Sequence, residues 1–63
     1  MIYITIVFNS KLTGKWMTEE KEFTNRGVAL RYMYATRSKG FIIDGWRCDD
    51  ALDNEWLTHR FKL

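Results

Sequence analysis

Proline is absent from this sequence, and cysteine and histidine each occur once, at Cys48 and His59. A single cysteine excludes an intramolecular disulfide, and the two residues together fall short of the four ligands of a structural zinc site. No apolar run approaches the roughly 18 residues that a membrane-spanning helix needs. We therefore expect no metal, no cofactor and no membrane partner, and the lack of disulfides favours a reduced, cytoplasmic setting.

Neither sign of charge is in large excess, since the formal net charge of the 63 residues is +2. This excess is far below that of a typical nucleic-acid-binding domain. The chain is 46% hydrophobic and 16% aromatic, which is typical of a globular protein. Its length predicts a single domain over residues 1–63, one that buries only about 60% of its unfolded surface. The apolar start lacks a basic n-region, so we predict a strand there and no export.

The first part of the sequence has the pattern of two paired β-strands. One face of residues 2–8 carries four apolar side chains, at Ile2, Ile4, Ile6 and Phe8. The other face is also fairly apolar, which is typical of a strand at the centre of a sheet. Turn-forming residues at 9–14 then predict a hairpin into residues 15–23, whose charged side chains favour an edge strand.

A helix is predicted over residues 25–38. Thr24 is a favourable N-cap residue, and this cap gives Phe23 and Val28 the positions of a hydrophobic staple. Gly40 is predicted to end the helix in the left-handed conformation. Basic residues near that end complement the helix dipole.

Residues 41–48 have the composition of a third strand, which is expected to pair beside the first. The predicted fold is α+β: a three-stranded, mostly antiparallel sheet in the order 2-1-3, with a helix on one face. The element order is ββαβ, followed by a C-terminal helix.

The C-terminal segment fits two structures. Asp49 or Asp50 can cap a helix over residues 50–61, whose apolar face is made of Leu52, Trp56 and Leu63. Residues 56–63 can instead form a fourth strand, with four alternating side chains at Leu57, His59, Phe61 and Leu63. The helix is favoured because residues 51–57 contain no β-branched residue and acidic residues cluster at their start.

The first predicted helix is apolar around most of its circumference. Four residues form one arc, at Ala29, Leu30, Met33 and Tyr34, and three form another, at Val28, Tyr32 and Ala35. Because a three-stranded sheet covers only one side of a helix, something else must cover the second arc. One interpretation is that the C-terminal segment does so, anchored by Trp56 or Phe61. The other is that Val28, Tyr32 and Ala35 bind another protein or a second copy of the chain.

Trp16 follows the predicted hairpin turn on an edge strand. It is the tryptophan most exposed by this arrangement, and exposed tryptophans are frequent in protein-binding hot spots. We therefore predict that Trp16 belongs to the partner-binding residues together with Val28, Tyr32 and Ala35.

The residue types that carry catalysis show no convincing arrangement. Four acidic residues lie close together, at Asp49, Asp50, Asp53 and Glu55, but the central glycine of a calcium loop is missing. We interpret them as a capped, solvated helix start. Cys48 and His59 lack an oxyanion-hole loop and a third orienting residue, so the chain is not expected to be an enzyme.

Nucleic-acid binding is the alternative function. Ten Lys and Arg residues are interleaved with ten aromatic residues. Tyr3 on an open sheet, with Trp16 or Trp46, could stack bases as sheet-type RNA-binding proteins do. The RNP1 signature is absent, however, and the basic residues scatter along the chain.

The layout from "KLTGKW" through "EFTNRGVALRYMY" and "SKGFIIDGW" to "CDDALDNEWL" resembles that of small phage and prophage proteins. The order hairpin, helix, strand also resembles that of a small phage inhibitor of bacterial RNA polymerase. The resemblance implies a compact protein of the host cytoplasm that binds, and often inhibits, a host macromolecule. The net charge of +2 argues against the acidic DNA mimicry of many anti-restriction proteins.

Overall fold

The computed structural model describes residues 1–61 and has the element order ββαβα. The elements are β1 (Ile2–Ser10), β2 (Trp16–Phe23), α1 (Arg26–Ser38), β3 (Phe41–Cys48) and α2 (Ala51–Arg60). The sheet has the order β2-β1-β3, and both strand pairs are antiparallel. The predicted α+β fold, with β1 at the centre and β2 at an edge, is confirmed.

Both helices pack against the same face of the sheet. The core consists of buried residues from all five elements and the end of α2: Ile2, Ile4, Ile6, Phe23, Ala29, Met33, Ile43, Cys48, Leu57 and Phe61. The alternation of β1 therefore sends its even-numbered side chains toward the helices and its odd-numbered ones toward the other face. Among the described residues, neither helix has the length and hydropathy to cross a lipid bilayer.

The start of α1 corrects the predicted cap. The N-cap is Asn25, not Thr24, and its side-chain oxygen accepts a hydrogen bond from the N–H of Val28 at 3.1 Å. Val28 is therefore the third residue of the helix, so Phe23 and Val28 do not occupy staple positions. Both Thr24 and Asn25 suit an N-cap. The structure selects Asn25, whose backbone is extended and whose side chain reaches the first turn of the helix.

Two glycines make the tight connections that keep the sheet compact. Gly14 closes the hairpin with φ of +72°, and its N–H donates to the carbonyl oxygen of Ser10 at 2.7 Å. Gly40 follows α1 with φ of +98°, as predicted, and its N–H donates to the carbonyl oxygen of Arg37 at 3.1 Å. Both values lie where residues with a β-carbon are strained.

A β-bulge in β3 lets Ile43 and Trp46, which are three residues apart, face the same side of the sheet. Val7 pairs with Gly45 while the next residue, Phe8, pairs with Ile43, so Asp44 is the extra residue. Without this insertion, strict alternation would turn either Ile43 or Trp46 away from the helices. The bulge lets both face the core, and it leaves Ile42 on the opposite face of the sheet.

The C-terminal segment is helical, so the favoured interpretation is confirmed over Ala51–Arg60 and the fourth strand is wrong there. The predicted apolar face is only partly right. Leu52 is 73% exposed, whereas Leu57 and Phe61 are buried. Leu57 and Phe61, four residues apart, form the side that packs on α1 and β3, and Leu52 lies about 140° away from Leu57 around the helix. The predicted contribution of Leu63 lies outside the described residues.

β2 covers the second arc of α1 at Tyr32, whereas Val28 is half-buried and Ala35 is exposed. The Tyr32 ring lies 5.3 Å from that of Phe23, between ring centroids, and its hydroxyl donates a hydrogen bond to the Glu19 carboxylate. Phe61 is an anchor, but it packs against Tyr34 on the other side of α1, at 5.0 Å. Phe23 of β2 and Phe61 at the end of α2 therefore pack against opposite sides of α1.

Candidate protein-binding surface

The face of the sheet that the helices leave uncovered is called the open face here. It carries the odd-numbered residues of β1 and their cross-strand partners: Tyr3, Thr5, Val7, Asn9, Trp16, Thr18, Glu20, Glu22, Ile42, Gly45 and Arg47. Trp16 and Ile42 flank Asn9 at one end, and their side chains are 59% and 48% exposed. Exposed aromatic and branched apolar side chains side by side are typical of protein interfaces.

Asn9 lies between these two side chains, and the next position of β1 on the open face, Val7, is apolar. Val7 is half-buried, and its partner on β3 is Gly45, which has no side chain. A β-carbon built at Gly45 would meet nothing within 4 Å. Val7 is therefore accessible beside Gly45, and a partner side chain can approach the sheet backbone at this point.

The other end of the open face is polar, with two glutamates, Glu20 and Glu22, around Tyr3 and one cation, Arg47, opposite Thr5. The Tyr3 hydroxyl donates to the Glu20 carboxylate at 2.8 Å, and this hydrogen bond raises the pKa of Tyr3. Glu22 is the direct partner of Tyr3 in the sheet. Carboxylates beside an aromatic ring repel phosphate, so this end does not suit a nucleic acid. Trp46, the other candidate for base stacking, faces the helices and packs edge-on against Phe61 at 5.3 Å.

The structure places the four predicted partner-binding residues on two separate surfaces. Trp16 is on the open face, as expected for the start of an edge strand. Val28 and Tyr32 are half-buried on the helical side, and Ala35 is exposed there. Ile42 was missed because its orientation depends on the bulge at Asp44, for which Gly45 inside the strand is the sequence signal.

The acidic cluster holds the junction between β3 and α2 together. An Asp49 carboxylate oxygen accepts the N–H of Tyr3 at 3.1 Å, and Asp50 accepts the N–H of Asp53 at 3.0 Å as the cap of α2. The Asn54 side chain accepts the N–H of Cys48 at 3.1 Å. In residues 1–61 no three Cys, His, Asp or Glu residues are grouped as metal ligands. The interpretation of these residues as a capped helix start agrees with this geometry.

The two residues weighed as a nucleophile and base have different partners. Cys48 is buried, and burial raises the pKa of its thiol, which favours the protonated, less nucleophilic form. Its sulfur lies 3.6 Å from an Asp49 carboxylate oxygen. His59 is exposed in the last turn of α2, with its Nε2 atom 3.8 Å from a Glu55 carboxylate oxygen.

We expect Asp49→Asn to reduce the loss of stability on acidification. The Tyr3 N–H favours the charged carboxylate and lowers the pKa of Asp49. In the unfolded chain the pKa returns to about 3.9. The stabilisation is therefore complete above that value and is lost as the pH falls through the folded-state pKa.

The measurement is urea unfolding at a series of pH values between about 5 and 2.5. The asparagine variant keeps an oxygen acceptor but does not titrate, so its free energy of unfolding should fall less steeply. Asp44→Asn is the matched control, because the described residues give the Asp44 carboxylate no hydrogen-bond donor. Equal pH profiles for Asp49→Asn and the parent chain would contradict the prediction.

Comparisons of the chain with protein-family models, with curated proteins and with solved structures give no match. The functional argument therefore depends on the surface of the protein and on its sequence layout.

Proposed function

We propose that this protein is a non-enzymatic protein-binding module that docks a partner on the open face of its sheet. The observation that carries the proposal is the pair of exposed side chains, Trp16 and Ile42, beside the accessible Val7. Both helices cover the other face, so this apolar end of the sheet has no cover among the described residues.

The sequence layout supports a more specific role as a phage or prophage accessory protein. Such a protein acts by binding, and often inhibiting, a macromolecule of the bacterial host cell. The partner is accordingly proposed to be a host protein in the cytoplasm. The acidic surroundings of Tyr3 favour a protein over a nucleic acid at this face.

Trp16→Ala is the variant that tests this proposal. A tryptophan in the centre of an interface commonly contributes about 2 kcal/mol or more, which corresponds to a loss of about 30-fold in affinity. Leu52→Ala is the matched control, because Leu52 is equally apolar and 73% exposed, but lies on α2. The parent chain is used to capture a protein from bacterial lysate, and the purified partner is then titrated with both variants by calorimetry.

The proposal requires Trp16→Ala to lose the binding and Leu52→Ala to retain it, with both variants folded by circular dichroism. Equal affinities of the two variants would remove the open face as the docking surface. Capture of nucleic acid alone, with an affinity that falls steeply as salt is added, would instead support the nucleic-acid-binding alternative.

A further inference from the structure

Two grooves meet where the hairpin turn approaches the start of β3. One has a volume of about 320 Å³ and is lined in part by four consecutive residues of β3, Phe41–Asp44, with Phe61 also in its lining. The other, of about 390 Å³, is lined by the turn and by the connection from α1 to β3. Lys11 and Phe41 line both grooves, so the two adjoin.

The first groove follows an unpaired strand edge. In the described sheet, β3 pairs with β1 on one side and with no strand on the other. At the end of β3, the Asn54 side-chain oxygen accepts a hydrogen bond from the Cys48 N–H and so caps this outer edge. Over Phe41–Asp44 no described residue pairs with the backbone groups of this outer edge, and such unpaired groups are the ones to which a further strand adds.

The two edges of the sheet differ in how they are protected. Edge strand β2 carries three glutamates and a lysine among its eight residues, and charges of this kind discourage pairing with another chain. The first three residues of β3 are Phe41, Ile42 and Ile43, with no charge. Over Phe41–Ile43 the β3 edge therefore carries none of the charges that protect β2, and its nearest protective features are the Asp44 carboxylate and the bulge at that residue.

The charge around the groove is basic. Lys11, Lys15 and Lys39 are at this end, and none of them makes an ion pair with the described residues. Arg37 also lines the first groove, with its guanidinium 4.6 Å from the centre of the Phe61 ring. Asp44 is the one acidic residue among those lining the two grooves. The acidic residues of the α2 cap lie at the opposite end of β3.

We propose that the β3 edge at this basic end binds an extended, acidic segment of the partner protein, which adds to the sheet as a fourth strand. This inference rests on the proposed function and names the chemistry of the partner. Backbone hydrogen bonds to Phe41–Asp44 provide affinity, and alternate side chains provide specificity. Apolar side chains of the segment contact Phe41 and Ile42, and its carboxylates approach Lys11 and Lys39.

The charge distribution distinguishes this occupant from a second copy of the chain. Antiparallel pairing of two β3 edges over Phe41–Asp44 would place Asp44 of each copy opposite Phe41 of the other, so each set of lysines would meet one carboxylate. An acidic segment brings several carboxylates to the same lysines and is therefore the better match in charge. The concave, apolar groove also suits side chains better than it suits phosphates.

The probe is a synthetic peptide in which glutamate alternates with valine, titrated into the ¹⁵N-labelled protein. We expect the amide signals of residues 41–44 and of Lys11 to shift, and the binding to weaken as salt is raised to about 0.5 M. A peptide with lysine in place of glutamate should not bind. A version with N-methylated backbone amides should bind about tenfold more weakly, because it cannot donate to the strand edge.

Lys11→Glu should lower the affinity for the glutamate peptide by about fivefold or more. Arg31→Glu makes the same change of charge on the exposed surface of α1 and should leave the affinity within about twofold. Lys11 and Arg31 are both exposed, so neither variant removes a core contact. Equal effects of the two variants would show that only net charge matters, which overturns the proposal.

Three further results would overturn it. The first is that the amide signals shifted by the glutamate peptide lie away from residues 41–44. The second is that single-stranded DNA or phosphatidylglycerol vesicles bind at the same amides more tightly than the peptide does. The third is that light scattering detects a dimer that forms through β3. Failure here is separable from failure of the proposed function. A host protein that depends on Trp16 while the peptide does not bind would leave the docking module intact and remove only the strand addition.

Discussion

Phe61→Ala is expected to lower the free energy of unfolding by about 3–5 kcal/mol, as is typical for removal of a buried aromatic side chain. At 0.05–0.15 kcal/mol per residue, a chain of this length has a total of roughly 3–9 kcal/mol. Phe61 is only 2% exposed, and its ring contacts Trp46 and Tyr34 while Arg37 lies over it. One substitution just after the last helix should therefore leave much of the chain unfolded.

The physical reason is that Phe61 connects three elements. Trp46 belongs to β3, Tyr34 to α1, and Phe61 itself ends α2, with its N–H donating to the Leu57 carbonyl oxygen at 2.7 Å. Removing the ring leaves a cavity between these elements and frees α2, of which only Leu57 is otherwise buried. A helix of ten residues is not stable by itself in water, so α2 should lose its structure once it is freed.

Guanidinium unfolding followed by tryptophan fluorescence measures this effect, since Trp46 and Trp56 pack beside the site. Leu52→Ala is the control on the same helix and should change the free energy of unfolding by no more than about 0.5 kcal/mol. Phe61→Leu should lose less than Phe61→Ala because it refills most of the cavity. A Phe61→Ala variant as stable as Leu52→Ala would contradict the assignment of Phe61 as an anchor.

The fold could be predicted because its local signals agree with one another. The alternation of β1 and the composition of β3 indicate strands, and Gly40 marks the end of α1 at the position that the structure requires. The bounds of β3 were predicted without error, and α1 starts one residue later than predicted. The predicted cap was wrong because Thr24 and Asn25 are adjacent and both favourable at an N-cap, so the residue pattern does not choose between them.

The C-terminal segment was harder because two periodicities share the same residues. Leu57 and Phe61 are four apart, so they lie on one face of a helix, and they are also on one face of a strand. The structure resolves the choice as a helix capped by Asp50, with Leu57 and Phe61 buried. The sequence placed Leu52 on the apolar face of this helix because the pattern does not show which side of α2 meets α1.

The candidate surface was predicted only in part, for a reason of long-range packing. The exposure of Trp16 follows from its place on an edge strand. The surroundings of Tyr32 depend on how far β2 reaches over α1, and those of Ile42 depend on the bulge at Asp44. Neither feature is encoded by a short stretch of residues alone, because each arises from pairing between segments distant in the chain.

Tyr32→Ala is expected to lower the free energy of unfolding by about 2 kcal/mol, less than a fully buried aromatic residue would. The half-buried ring packs against Phe23, lies under the Lys21 ammonium at 4.5 Å, and donates its hydroxyl to Glu19. Tyr32→Phe keeps the ring and loses only the hydrogen bond, so it should cost about 1 kcal/mol. Arg31→Ala, at the exposed neighbouring position of α1, should cost no more than about 0.5 kcal/mol.

The pH dependence of stability gives this series a second measurement. The hydrogen bond to the Glu19 carboxylate raises the pKa of Tyr32, because it needs the protonated phenol. Its contribution is complete below the unfolded pKa of about 10 and is lost as the pH rises through the folded-state value. Tyr32→Phe should therefore lose less stability on alkalinisation than the parent chain. If Tyr32→Ala instead keeps the parent stability and abolishes binding of the partner, Tyr32 belongs to the docking surface that the helix pattern predicts.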